Sequence, residues 1–172
     1  TLAIDRQQIV NDVFGDSAEV ADGPIWNHSF VVGPDFPKQG FDFAQAEKIL
    51  TDSGWEKVEI SPEAEKEVQE ATPEKIKADS NLSFKVDLAE VASSTGASFP
   101  GSWRVKYPAK KTQSRQYLVV SITTSDSAEN LAVAEAVKQT WERLGVKTII
   151  KSVPAMQIVD KVIVPRDFSI LL

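Results

Sequence analysis

Three patterns in the sequence predict an α/β fold. Residues 117–124 are rich in β-formers, and Leu131, Ala134, Val137, Trp141 and Leu144 then keep a single helical stripe. Residues 147–153 follow as another strand, so the last third runs strand, helix, strand and predicts a right-handed crossover joining parallel strands. Upstream, Asp42 followed by Gln45 marks a cleanly capped helix on the same apolar logic.

Taken in order, Ile9, Val10, Val13 and Phe14 have helical spacing, and Gly15 with Asp16 supplies a C-terminal stop. Residues 15–40 hold Gly23-Pro24, Gly33-Pro34 and Phe36-Pro37 without a sustained period, so they read as a long ordered loop carrying Trp26, His28 and Phe30. In the helix opened by Asp42, Ala46, Ile49 and Leu50 form the buried face, Phe41 and Ala46 are placed for a hydrophobic staple, and Gly54 ends the helix before Trp55.

Residues 57–80 are acidic and poor in apolar side chains, which predicts a solvated, partly helical insertion. Leu82, Phe84, Val86 and Leu88 then alternate with polar neighbours as a half-buried strand, and residues 91–102 are small and flexible in composition. Trp103, Val105 and Tyr107 alternate with Arg104 and Lys106 as a second strand, the return arm of a long hairpin. The whole stretch 57–115 is therefore expected to be a hairpin-containing insertion. Arg104, Lys106, Lys110, Lys111 and Arg115 suit a solvated hairpin edge guarded by charge, with a basic ligand surface as the other reading. Near the C-terminus, Asp126 and Glu129 predict a capping box for the stripe helix, residues 155–164 a short helix stopped by Pro165, and residues 168–172 a return to the sheet.

Composition narrows the function. With 172 residues, 42% hydrophobic and 26% charged, the chain is ordinary for one globular unit, and at this size roughly 70% of the unfolded surface is buried. The formal charge of −6 argues against a nucleic-acid partner, which needs concentrated basic surface. No apolar run has the length of a membrane span and no signal peptide is visible, so this chain is not expected to insert in a membrane. Absence of cysteine removes disulfides, thiolate metal sites and a Cys nucleophile, and a single histidine, His28, rules out multi-histidine metal sites. No phosphate loop, nucleophile elbow or carboxylate–histidine constellation appears, so no catalytic residues, metal or cofactor are expected. Asp5-Arg6 and Arg166-Asp167 read as local charge pairs. Trp55 and Trp141 read as core.

Binding is the remaining class. Trp26 and His28 either face a ligand or pack inward. Thr123, Thr124 and Ser125 end a strand beside a helix N-terminus, where ligands of open α/β sheets collect and an anionic group is favoured. Capping explains the same three residues equally well.

Several segments resemble a known family in register. Leu2-Ala3-Ile4-Asp5-Arg6 with Ile9 resembles the "ALxxAIDRxxI" helix of the family-5 extracytoplasmic solute-binding proteins of ABC transporters, the class that carries oligopeptides, dipeptides and nickel. Ala21-Asp22-Gly23-Pro24-Ile25 resembles its "GPIP" loop, with Trp26 replacing the second Pro. Residues 41–50 with Gly54-Trp55 resemble "YDPEKAKKLLxEAGW". Leu118 through Asp126, Ala134, Trp141, Leu144-Gly145-Val146 and Val153 resemble the strand, "AExIxxxLxxIGIxVxI" helix and strand, and Arg166-Asp167-Phe168 resembles "RDYD".

The resemblance implies one lobe of a two-lobed, periplasmic-binding-protein type II-like fold with a mixed sheet flanked by helices. It implies a protein that closes over a peptide or other small solute and delivers it to ABC permease subunits. An extracytoplasmic setting is implied too, in the periplasm or at the cell surface, with lipid anchoring through an N-terminal segment outside the chain. Thr1 without an initiator Met and the apolar residues 170–172 lead us to expect that both ends are cuts and that a second lobe is missing. The acidic residue that pairs with a peptide's amino group in such proteins is expected beyond residue 172. Against this stand a ligand-sensing domain of a regulator with the same fold, an interaction module using residues 103–115, and an enzyme.

Overall fold

The computed structural model describes residues 2–21, 23, 40–108 and 114–172. Trp26, His28, Lys110 and Lys111 lie outside the described residues.

Asp5 opens α1 (Arg6–Val13) by accepting from the amide of Gln8, and Gly15, at φ 56°, begins the 3-10 turn Gly15–Ser17 that ends it. Asp42 opens α2 (Phe43–Asp52) in the same way, its carboxylate taking the Gln45 amide at 2.8 Å. Gly54 turns the chain out at φ 84°. Ala46 and Leu50 pack inward as expected, but Ile49 and Phe41 are half-exposed.

β1 (Glu56–Ile60), α3 (Ala64–Gln69) and α4 (Pro73–Ala78) make up the acidic stretch. Next comes the main correction. Residues 82–88 are not a strand but part of α5 (Ser80–Thr95), and so is the first half of the segment expected to be flexible. Phe84, Leu88 and Ala92, four apart, form its buried stripe, Asp79 caps it by accepting from the amides of Asn81 and Leu82, and Gly96 ends it at φ 79°.

β2 (Gly101–Lys106) therefore has other partners. It runs antiparallel to β1, with Val58 opposite Trp103, and to the short β3 (Gln116–Tyr117), with Val105 opposite Tyr117. As the central strand it is buried on both faces: Trp103 and Val105 are fully buried and Arg104 is 1% exposed. Arg104 is thus not on a solvated edge. Trp103 and Val105 join Ile60, Ala64, Phe84, Leu88 and Ala92 in one core, whereas Arg115 pairs with Asp87 at 2.7 Å and lies over the Phe84 ring.

After Leu118 the chain enters a second sheet. β4 (Val119–Ser125) pairs in parallel with β5 (Lys147–Val153) across α6 (Ala128–Arg143), as the crossover pattern predicts, and β6 (Ile170–Leu171) returns parallel on the other side of β4. Between β5 and β6 the expected single helix is a 3-10 turn, Ala155–Gln157, followed by a π-helical turn, Val159–Ile163, and Arg166 turns back at φ 58°. The α6 cap also lies one residue later than expected. Ser127 accepts from the Asn130 amide, while the Asp126 carboxylate accepts from the amide of Ala155 at 3.1 Å and is committed to the end of β5.

The sheets meet at three backbone bonds: Arg104 N–H to Gly145, Leu118 N–H to Arg104 and Lys147 N–H to Leu118. Gly145 has φ 85° and passes so close that a Cβ there would lie 3.1 Å from the Trp103 carbonyl carbon. The expected α/β class with helices against its sheets is borne out.

Candidate functional site

β4, β5 and β6 are parallel, so their carboxyl ends, at Ser125, Val153 and Leu171, open on one side of the sheet. α6 starts there, and its first-turn amides and dipole favour a polar or anionic guest. Asn130 Nδ2 donates to Ser125 Oγ at 2.7 Å, and Ser125 Oγ donates to Ser127 Oγ at 3.3 Å. Ser127 Oγ in turn accepts from the Asn130 amide, which closes a small ring of neutral donors and acceptors.

Thr124 is fully buried on the Ile122 face, the side packed by Ala134 and Val137 of α6. Its hydroxyl and that of Thr123 have no hydrogen-bond partner among the described residues. Thus two of the three strand-end residues singled out by sequence have different surroundings: Ser125 is held in the cap ring and Thr124 lies beneath the helix. Asn130 and Ser127 are not among the residues that the sequence singles out. Their signal is the three-residue Ser127–Asn130 spacing, which the Asp126–Glu129 pair one residue earlier imitates.

Two buried cations fix the opposite end of this sheet. Arg104 donates through Nε to the Leu144 carbonyl at 2.7 Å and through Nη1 to the Trp55 carbonyl at 3.0 Å, with Glu47 3.4 Å from Nη2. Burial pushes its pKa down, and Glu47 offsets this in part. Lys147, 3% exposed, donates to the Pro100 carbonyl at 3.0 Å and sits 5.0 Å from the Trp103 ring centroid. Burial lowers its pKa too, opposed by Glu142 and Glu59. Both cations are satisfied structural groups remote from the strand ends.

Chemically, the carboxyl-end ring offers hydroxyls and an amide, groups that can donate to and accept from a polar solute. Among the described residues no group of three or more His, Asp or Glu is placed to hold a metal ion, and no helix is long and apolar enough to cross a membrane.

Comparison with known families supplies a family for the chain. Residues 1–171 match the family described as bacterial extracellular solute-binding proteins, family 5 Middle. The chain belongs to the family-5 extracellular solute-binding proteins. This is a family of binding proteins, and its members are extracytoplasmic.

Similar solved structures agree in fold. The oligopeptide-binding protein AppA from Bacillus subtilis, in complex with a nonapeptide, has a TM-score of 0.54 at 16% identity, covering 93% of this chain and 23% of that one. NikZ from Campylobacter jejuni, in complex with Ni(L-His), has a TM-score of 0.52 at 15% identity, covering 90% and 22%. An oligopeptide-binding protein from Thermus thermophilus, complexed with a pentapeptide, has a TM-score of 0.53 at 14% identity, covering 91% and 19%. The family-5 chain therefore spans less than a quarter of the length of these structures. Comparison with curated proteins finds no match.

Proposed function

We propose that this chain is one lobe of the solute-binding component of an ABC import system, and that its solute is a peptide. The family match over residues 1–171 carries the reading. A second lobe supplies the other half of the contacts, closure over the solute creates the form that permease subunits recognise, and ATP is hydrolysed elsewhere. The 172 residues form one α/β unit, with 57–115 as its insertion. The protein works outside the cytoplasm, lipid-anchored through a segment that precedes this chain, and it is not an enzyme.

Ser125 at the strand end, Trp26 and His28 are the residues we assign to the solute, while Thr124, fully buried beneath α6, supports the strand end from below. Two of the three similar structures hold peptides, which favours a peptide. A nickel complex is the second reading, favoured by the NikZ structure.

Calorimetric titration of a mixed peptide library and of Ni(L-His), against this chain and a family-length protein containing it, tests the assignment. Peptide binding by the long form and weak or no binding by the 172-residue chain is expected. Micromolar peptide binding by the chain alone would refute the single-lobe reading, and heat from Ni(L-His) alone would replace the peptide.

A further inference from the structure

The helices of the insertion enclose an open cavity of about 430 Å³, a size within the range of small-ligand sites. α3 lines it with Glu67 and its C-cap Glu70, α4 with Lys75, and α5 with Leu82, Lys85 and the N-cap Asp79. α3 and α4 both contact α5, which Phe84, Leu88 and Ala92 fix in the core beneath, so the walls share one scaffold. Three carboxylates face two ammonium groups there, a surplus of one negative charge.

Pairing within the wall leaves a definite remainder. Lys85 donates to Glu67 Oε2, so these two charges answer each other. Asp79 caps α5 through Oδ1 alone, which takes the amides of both Asn81 and Leu82, while Oδ2 accepts from no group among the described residues. Neither Lys75 nor Glu70 has an ion-pair partner among the described residues. One ammonium and two carboxylates are therefore left to serve a guest, around the apolar side chain of Leu82.

We propose that this cavity is a second binding site, for a free basic amino acid of the lysine or arginine class. The guest's carboxylate meets the Lys75 ammonium, its two cationic groups meet Glu70 and Asp79 Oδ2, and its methylene chain lies on Leu82. Each guest charge then has an opposite partner, and the guest's net positive charge cancels the surplus of the wall. A simple anion would face three carboxylates, and a simple amine would leave Lys75 unanswered. The lining is largely solvent-exposed, so screening keeps the affinity weak, roughly millimolar. The cavity lies in the insertion, away from Ser125 and Asn130, and does not depend on the transport reading.

Amide chemical shifts of the isotope-labelled 172-residue chain, titrated with L-lysine at low ionic strength, test this. Saturable shifts are expected at Glu70, Lys75 and Leu82. Norleucine, which lacks the side-chain ammonium, and glutamate, which replaces it with a carboxylate, should bind roughly tenfold more weakly or worse. Glu70→Gln and Lys75→Met change exposed side chains and should keep the fold, yet each should weaken lysine binding roughly tenfold. Four results would each overturn the inference: no saturable shift around the cavity, norleucine or glutamate binding as well as lysine, binding unchanged in both variants, or shifts confined to Ser125 and Asn130. The last would move the amino acid to the strand ends, and failure of peptide binding there would leave the cavity result untouched.

Discussion

Arg104 Nε donates to the carbonyl oxygen of Leu144 at 2.7 Å, joining the central strand of one sheet to the C-terminus of the helix that covers the other. The same guanidinium holds the Trp55 carbonyl and Thr51 Oγ1, so three elements converge on one planar, five-donor group. Removing it leaves buried carbonyls without partners. Arg104→Met is expected to cost about 2–4 kcal/mol in urea unfolding. Arg104→Lys should recover only part of that, because one ammonium cannot span the same acceptors.

Lys147 gives a pH signature. Burial holds its folded-state pKa below the ordinary 10.5, so the unfolded chain binds this proton more tightly. Its contribution to stability is therefore present above 10.5 and is lost as pH falls through the lowered value. Unfolding free energies measured from neutral to alkaline pH should show wild type gaining on Lys147→Met across that window. A gap that stays constant with pH would show that the buried ammonium is not destabilised.

The reassigned cap separates two neighbouring residues. Ser127→Ala should cost about 1 kcal/mol and reduce α6 stability, because Ser127 holds the first-turn amide. Asp126→Ala should leave α6 intact and instead speed hydrogen exchange at Ala155, whose amide it accepts. Site-resolved exchange by NMR distinguishes the two patterns.

Thr124→Val tests the orphan hydroxyl. Replacing a fully buried hydroxyl that has no partner among the described residues with a methyl should be neutral or stabilise by up to about 1 kcal/mol. In a family-length protein the same change should leave peptide affinity unaltered, because the side chain is sealed beneath α6, and calorimetry reads this. Thermal unfolding of both forms supplies the stability arm.

Much of the fold is legible in the sequence because its signals are local. Asp42 and Gly54 bracket α2, and the β4–α6–β5 crossover follows from apolar period alone. α5 escapes such a reading because Leu82, Phe84, Val86 and Leu88 satisfy a period of two over seven residues. The deciding evidence lies outside that window, in the Asp79 cap, in Ala92 and in Gly96. The burial of Arg104 is invisible for a different reason: a central strand is covered on both faces only once its partners are known, and those partners are distant in sequence. At the candidate site, strand order locates Thr124 and Ser125, but the hydroxyl ring depends on which of two adjacent cap residues is used.

The Leu118 joint has a consequence for divergence within the family. Everything from β1 to β3 leaves and rejoins the chain at the amino end of β4, and that seven-residue strand separates the joint from the carboxyl end of the sheet by about 20 Å. Insertions and deletions between residues 61 and 100 can therefore accumulate without moving Ser125 or Asn130. Overall length and the side chains at the strand ends are free to evolve on separate schedules.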